Sequence, residues 1–352
     1  MKSKYLILTP LFSVMAMGTT YGQNNSVYMS ENSEIENQIK IPSKKSLKEF
    51  RHLDLEVSGG STGIGVELDF VANPWVTVRA GATYMPKFHK TIHCKAQIGE
   101  DEKTTYDEDG QRLPTRFEKM ADLLEDFIGT PVDAVVAMDA TPSFYNAKFL
   151  VDVYPFKNEH WHFTGGFYYG KSHVATAINK GSELPSLMAI NLYNRMYDNG
   201  GEITDGFSLP PEYLRRLLTY GRAGIHVGNY THDIMAVDSE TGEEYILHAK
   251  GDPYMMVPNA DNLVFAKAYV NKFRPYFGFG YTSLLGKHQK WGIGFDLGGM
   301  FWGGAPKLID HSGVDLMYDV EDIKGNVGDY VRLARHIKAF PVLELRIKRR
   351  LF

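Results

Sequence analysis

Apolar and polar positions alternate along much of this chain. From Ile64 to Phe70 the even positions Ile64, Val66, Leu68 and Phe70 are apolar, and between them stand Gly65, Glu67 and Asp69. Successive side chains of a strand point to opposite faces, so this segment reads as a strand with one greasy and one polar face. After the turn Val71-Ala72-Asn73-Pro74 the pattern resumes, with Val76, Val78, Ala80, Ala82 and Tyr84 against Thr77, Arg79, Gly81 and Thr83. Tyr145, Ala147, Phe149, Val151 and Val153 likewise oppose Asn146, Lys148 and Asp152. Trp161, Phe163, Phe167 and Tyr169 oppose His160, His162, Thr164, Gly166 and Tyr168. Trp291, Ile293, Phe295, Leu297 and Phe301 oppose Gly292, Gly294, Asp296 and Gly298, and Leu343, Leu345, Ile347 and Leu351 oppose Glu344, Arg346 and Lys348.

This spacing predicts eight strands: Leu53 to Ser58, Ile64 to Phe70, Trp75 to about Phe88, Phe144 to Tyr154, His160 to Lys171, Leu263 to Leu284, Trp291 to Trp302, and Phe340 to Phe352. In the over-long sixth, the apolar phase switches from Val264, Ala266, Ala268 and Val270 to Phe277, Phe279 and Tyr281, which a bulge near Pro275 would explain. A hairpin within 220–250 would raise the count to ten. Long connections at about 86–142, 172–261 and 303–338 alternate with short turns at 71–74, 155–160 and 285–290, an asymmetry that places both termini on the short-turn side. The long connections are not featureless. Thr115 to Gly129 carries Phe117, Met120, Leu124 and Phe127 at helical spacing, and Leu184 to Tyr197 and Pro210 to Tyr220 each open near a proline. These helices are expected to form an ordered extracellular cap.

Which face is the core decides the class. A soluble sandwich solvates its polar face with many Lys, Glu and Thr, whereas here that face is rich in glycine. Its charges, Glu67, Asp69, Asp152, Asp296 and Glu344 against Arg79, Lys148, Arg346 and Lys348, nearly cancel. That is the interior of a small filled barrel with its apolar face turned to lipid. Trp75, Trp161 and Trp291 each follow a short turn, as interfacial aromatic girdles require. Trp291 and Phe301 share a face ten residues apart, and a tilted strand of that length spans roughly 25 Å, the height of the apolar band. The expected fold is an all-β membrane barrel: an eight-stranded, or ten-stranded, antiparallel transmembrane β-barrel with helical extracellular loop insertions.

Composition agrees. The chain has 352 residues, 43% hydrophobic and 13% aromatic, with 34 glycines and 38 basic against 42 acidic side chains. A net charge of -4 gives no footprint for nucleic acid, and this aromatic content excludes disorder. Lys2 and Lys4 precede an apolar run from Tyr5 to Met17, with Thr20 and Gly22 at the -3 and -1 positions of a cleavage site. Residues 1–22 therefore read as a secretory signal peptide, 23–48 as a polar periplasmic tail, and 49–352 as the barrel. Removing Lys2 and Lys4 takes the formal charge from -4 to -6. Cys94 is the single cysteine, so neither an intramolecular disulfide nor a cysteine-based zinc cluster forms.

The runs GIGVELDFVANPWVTVRAGATYMP, FLVDVYPFKNEHWHFTGGFYYG, RPYFGFGYTSLLGKHQKWGIGFDLGGMFWGGAP and FPVLELRIKRRLF resemble small outer-membrane β-barrel proteins of Gram-negative bacteria. The resemblance is to the OmpA-like outer-membrane barrel superfamily, with insertions of the kind seen in uncharacterised Bacteroides members. It covers about half of the mature chain, is strongest around 264–306, and implies fold and location with no catalytic residues to carry over. One departure is Phe352, which falls out of step with Leu351, Ile347 and Leu345, through a terminal bulge or a weakened assembly signal.

Individual motifs add little chemistry. Ser58 to Gly65 (SGGSTGIG) resembles a nucleotide-binding glycine loop, but a strand follows it where a helix N-terminus is needed to hold a pyrophosphate. His160 and His162 share a strand face about 6.6 Å apart, the weak metal candidates of the chain, while His89 and His93 would stand about 13 Å apart. Asp107-Glu108-Asp109-Gly110, with Glu100, Asp101 and Glu102, lacks the spaced and closed ligand pattern of a calcium loop. Ser143, Ser172 and His173 are candidates for a lipid-modifying enzyme, but no spacing singles out a triad. The reading reached is a non-enzymatic barrel with a filled lumen and no cofactor. Its partners are outer-membrane lipid and lipopolysaccharide, the barrel-assembly machinery, and an extracellular ligand met through the helical loops. A lipid A hydrolase or acyltransferase and a narrow small-solute channel are the alternatives.

Overall fold

The computed structural model describes residues 52–352 apart from 100–103, 157–159, 201–210, 287–288, 324–327, 329–330, 333–334 and 336–337. The expected signal peptide, 1–22, and the whole of the expected tail, 23–48, lie outside the described residues. Strands β1 (His52–Gly60), β2 (Gly63–Asn73) and β3 (Val76–Tyr84) are the first three barrel staves. A first insertion follows with β4 (Lys90–Ile98), helix α1 (Arg116–Ile128) and β5 (Val135–Pro142). The chain re-enters the barrel as β6 (Tyr145–Val153) and β7 (Trp161–Gly170). The second insertion begins with β8 (His173–Asn179), α2 (Leu184–Asp198), α3 (Pro211–Leu218) and β9 (Ala223–Tyr230). It ends with the ribbon β10 (Ile234–Val237) and β11 (Glu244–His248), then β12 (Pro253–Met256) and β13 (Phe265–Tyr269). Strands β14 (Phe273–Leu285) and β15 (Trp291–Phe301) return to the barrel. The third insertion holds β16 (Lys307–Asp310) and β17 (Val320–Glu321), and β18 (Ala339–Arg350) closes the wall.

The barrel is closed and antiparallel in the order β1-β18-β15-β14-β7-β6-β3-β2. Its eight staves are the eight segments expected from alternation, and the short turns and both ends of the wall lie on one side. The ten-stranded alternative is corrected: β9 joins a sheet outside the barrel, and β10 pairs only with β11. The bulge near Pro275 is corrected too. Pairing from Phe273 to Tyr281 against β7 runs without a register shift through Pro275, opposite Phe167. The phase switch instead marks a break at 270–272, where β13 leaves one sheet and β14 enters another. Phe352 lies past the end of β18, and its carbonyl accepts the Leu53 amide at 3.2 Å.

Outside the barrel, a sheet runs β12-β9-β4-β5-β8-β13-β16, with β17 on β9. Its stretch β4-β5-β8-β13-β16 repeats the neighbour order of the staves β3-β6-β7-β14-β15, to which those strands are directly joined in sequence. One side of the barrel wall therefore continues past the rim as the backbone of the cap. Alternation did not reveal this second sheet. Its strands are short, and several are covered on both faces, as the burial of β9 shows. Buried strands lose the period-2 signal.

The cap has its own core. Phe117, Met120 and Leu124 of α1 and Leu187, Ile190 and Tyr193 of α2 are buried together with Ile98, Val136 and Ile225 of the sheet. Asn194 clasps the start of β9, donating to the Ala223 carbonyl at 2.8 Å and accepting from its amide at 2.7 Å. Helix α1 starts at a reciprocal cap: Thr115 Oγ1 accepts the Glu118 amide at 3.2 Å, and Glu118 Oε2 accepts the Thr115 amide at 2.7 Å. It stops at Gly129, whose φ of 77° favours glycine. Thr115→Ala is therefore expected to cost about 1 kcal/mol of local stability, read as faster amide exchange in the first turn of α1 with the barrel unaffected.

Candidate functional site

Every stave turns one face to the lumen, and the buried residues follow the expected phase. Glu67 and Asp69 on β2, Arg79 on β3, Lys148 and Asp152 on β6, Asp296 on β15, and Glu344, Arg346 and Lys348 on β18 are all buried there. The closure of the barrel brings them together. Arg79, fully buried, donates to Asp296 at 2.9 Å and to Asp152 at 3.0 Å. Arg346 reaches Glu56 at 3.1 Å and Asp296 at 3.1 Å. Lys148 bridges Glu67 at 2.5 Å and Glu344 at 2.8 Å, and Ser58 donates to Glu344 at 2.9 Å. Lys348 lies 3.4 Å from Asp54 nearer the short-turn end.

Toward the cap end the filling becomes apolar. Leu150, Tyr168, Tyr276, Met300 and Val342 are buried as one cluster with Phe144. Above it Arg274 donates to the Asn271 carbonyl at 2.6 Å, to the Asn146 side chain and to the Lys171 carbonyl, tying β14 to β6 and to the exit of β7. Inner-face glycines make room for this filling. A Cβ on Gly280 would lie 2.2 Å from Asp296 Oδ1 and 2.6 Å from His162 Nε2. The lumen is thus a packed ionic core under an apolar layer.

The expected balance of charge is corrected by two residues that the strand reading left out. Asp54 and Glu56 alternate with Leu53, Leu55 and Val57 on β1 and are buried in the lumen. Their signal was the same period-2 pattern, over a shorter run. Arg274 was hidden by the over-long sixth strand, because its phase belongs to β14 and not to β13. Among the described residues the lumen holds seven buried carboxylates and five buried arginine and lysine side chains, so it is acidic.

The outer face is the reverse. Val66, Phe70, Phe149, Phe163, Phe277, Phe279, Leu297 and Leu345 are exposed on the staves. Trp75, Trp161 and Trp291 are exposed at the short-turn end, and Phe301 is exposed at the other end of β15. Trp161 packs edge-on against Tyr281 at 5.1 Å and Phe295 at 6.0 Å, giving a continuous aromatic surface over three staves. Apolar outside and polar inside is the polarity of a membrane barrel.

The remaining sequence candidates take separate places. His162 Nε2 sits 3.0 Å from Asp296 in the lumen, whereas His160 Nδ1 pairs with the Thr282 carbonyl at 2.9 Å. The two rings thus serve different partners. His89 pairs with Thr141, and His93 on β4 stands in register with Ala137 of β5. His173 Nε2 lies 2.8 Å from Thr176 Oγ1 and joins neither Ser143 nor Ser172. Asp107 folds its own loop, accepting the amides of Asp109 and Gln111. Glu100, Asp101 and Glu102 lie outside the described residues. Ser61 and Thr62 of the glycine-rich motif form the hairpin turn between β1 and β2, with Gly63 at φ 101°. Burial pushes the Cys94 thiol up to about 11, keeping it protonated beside Met138.

No family model matches the chain, and no curated protein matches it. Among the solved structures similar to it are CarO2 and CarO of Acinetobacter baumannii, each 14% identical with a TM-score of 0.34. Each comparison covers 85% of this chain, and 98% and 97% of the respective structures.

Proposed function

We propose that this protein is an integral outer-membrane barrel, exported by a cleaved signal peptide, whose filled lumen is a structural stopper and whose cap is its working surface. The observation that carries this reading is the polarity of the wall: an inside of buried, ion-paired side chains and an apolar, aromatic-belted outside. In this reading the barrel meets outer-membrane lipid and lipopolysaccharide through its apolar face, and the assembly machinery inserts it. The likeness to Bacteroides-type, OmpA-like barrels rests on the four strand runs of the wall, and the helices and sheet of the rim insertions present the cap to an extracellular ligand. The role in this reading is non-enzymatic: Ser143, Ser172 and His173 shape the rim, where the Ser143 amide donates to the Val174 carbonyl at 2.8 Å and His173 Nε2 lies 2.8 Å from Thr176 Oγ1.

Planar-bilayer recording of the purified, detergent-folded protein tests the stopper. Side chains that occupy the whole cross-section leave no aqueous path, so no stable step of porin size is expected. A long-lived open channel at moderate voltage would overturn the filled-lumen reading.

A further inference from the structure

We infer that the lumen holds a specific site for one hard divalent cation of calcium size, formed by Glu56, Glu67 and Asp69. The three carboxylates project from adjacent staves, and one ligand oxygen from each lies within 4.8 Å of the other two. All three side chains are buried. Calcium takes several protein carboxylates in a flexible shell, whereas magnesium keeps most of its waters and is held by one or two carboxylates, so a buried set of three suits the larger ion.

A second observation points to a ligand independently of proximity. Glu56 Oε1, Glu67 Oε2 and Asp69 Oδ1 are each buried without a hydrogen-bond partner among the described residues. Asp69 stands out, because it has neither a hydrogen bond nor an ion pair among the described residues and is 1% exposed. Its register neighbour on β3 is Arg79, but that guanidinium is turned to Asp152 and Asp296. Arg79 stays 3.7 Å from both Glu56 Oε1 and Glu67 Oε2, too far to satisfy either oxygen. Its register neighbour on β1, Asp54, is itself acidic and is held by Lys348. These oxygens have no protein donor among the described residues, and a hard cation is a partner that satisfies several buried carboxylate oxygens at once.

The charge count agrees. Seven buried carboxylates face five buried arginine and lysine side chains, and Arg274 among the latter bonds only amide and carbonyl oxygens.

The test uses the full mature chain folded in detergent, stripped with chelator and titrated with calcium chloride by calorimetry, with magnesium chloride in parallel. One calcium per chain is expected to bind, with magnesium at least tenfold weaker. The temperature at which the folded, fast-migrating gel band is lost is expected to rise by several degrees. Asp69→Asn is expected to weaken calcium binding tenfold or more, while Asp107→Asn on the exposed cap loop leaves it unchanged. No calcium binding by the wild-type chain, or equal affinity in Asp69→Asn, would sink the site. If Asp69→Asn does not fold, Glu67→Gln and the metal content of wild-type protein taken directly from membranes decide the matter. Metal-free wild-type protein that also binds no added calcium overturns the proposal. The conductance result stands apart from either outcome, so failure of the cation site leaves the stopper reading intact.

Discussion

Arg79→Met is expected to destabilise the folded barrel by about 3–5 kcal/mol, the range found when one partner of a buried ionic cluster is removed. Arg79 is the hub of the lumen, fully buried, with Asp152 and Asp296 at hydrogen-bond distance and Glu56 and Glu67 just beyond. Methionine fills much of the same volume, so the effect isolates the loss of charge. The two aspartates would keep Thr164, His162 and Arg346 but lose their shared cation. Since a whole domain is stable by only about 5–15 kcal/mol, part of the variant is expected to fail assembly. The measurement is the urea midpoint of refolded protein, followed by heat-modifiable gel migration. A midpoint equal to that of wild type would show that the lumen is hydrated and that the ion pairs contribute little.

Leu297→Arg is expected to cost about 2–4 kcal/mol when the protein is refolded into lipid vesicles, because an arginine near the bilayer midplane must be desolvated or must thin the membrane. Leu297 sits near the middle of β15, points outward, and is 43% exposed between Phe279 and Leu343. On a water-facing surface the same change would fall within about 0.5 kcal/mol. The measurement thus separates a lipid-facing wall from a solvated one, and a near-neutral result would remove the membrane reading.

Much of the barrel was legible because period-2 alternation is a local property. Most of the staves have long runs with one apolar face, β1 has a shorter one, and each keeps its identity whatever it pairs with. The three helices were equally readable. Thr115 and Glu118 announce the start of α1, and Gly129 marks its end through local geometry alone. The cap sheet was not readable in this way. Strands such as β9 are buried on both sides, and β13 runs almost directly into β14, so two strands in different sheets present a single apolar stretch in the sequence.

The candidate site divides along the same line. That Glu67, Arg79, Asp296 and Arg346 face inward follows from their phase, and Asp54 and Glu56 could have been found by extending the same reading to β1. Which carboxylate each cation serves could not. Arg79 and Asp296 are 217 residues apart in sequence, and Arg346 and Glu56 are 290 apart. Such pairs depend on how far the staves are sheared when the wall closes, a quantity carried by no single strand.

By itself, then, the sequence determined eight two-faced staves, the sidedness of long and short connections, the helices above the rim and a charged, glycine-lined interior. Only the tertiary structure decided that five staves continue into the cap, that the lumen is acidic, and that Asp69 stands without a partner among its neighbours. The physical reason is that alternation is set by the geometry of one strand, whereas partnership and charge balance are set by closure of the whole wall.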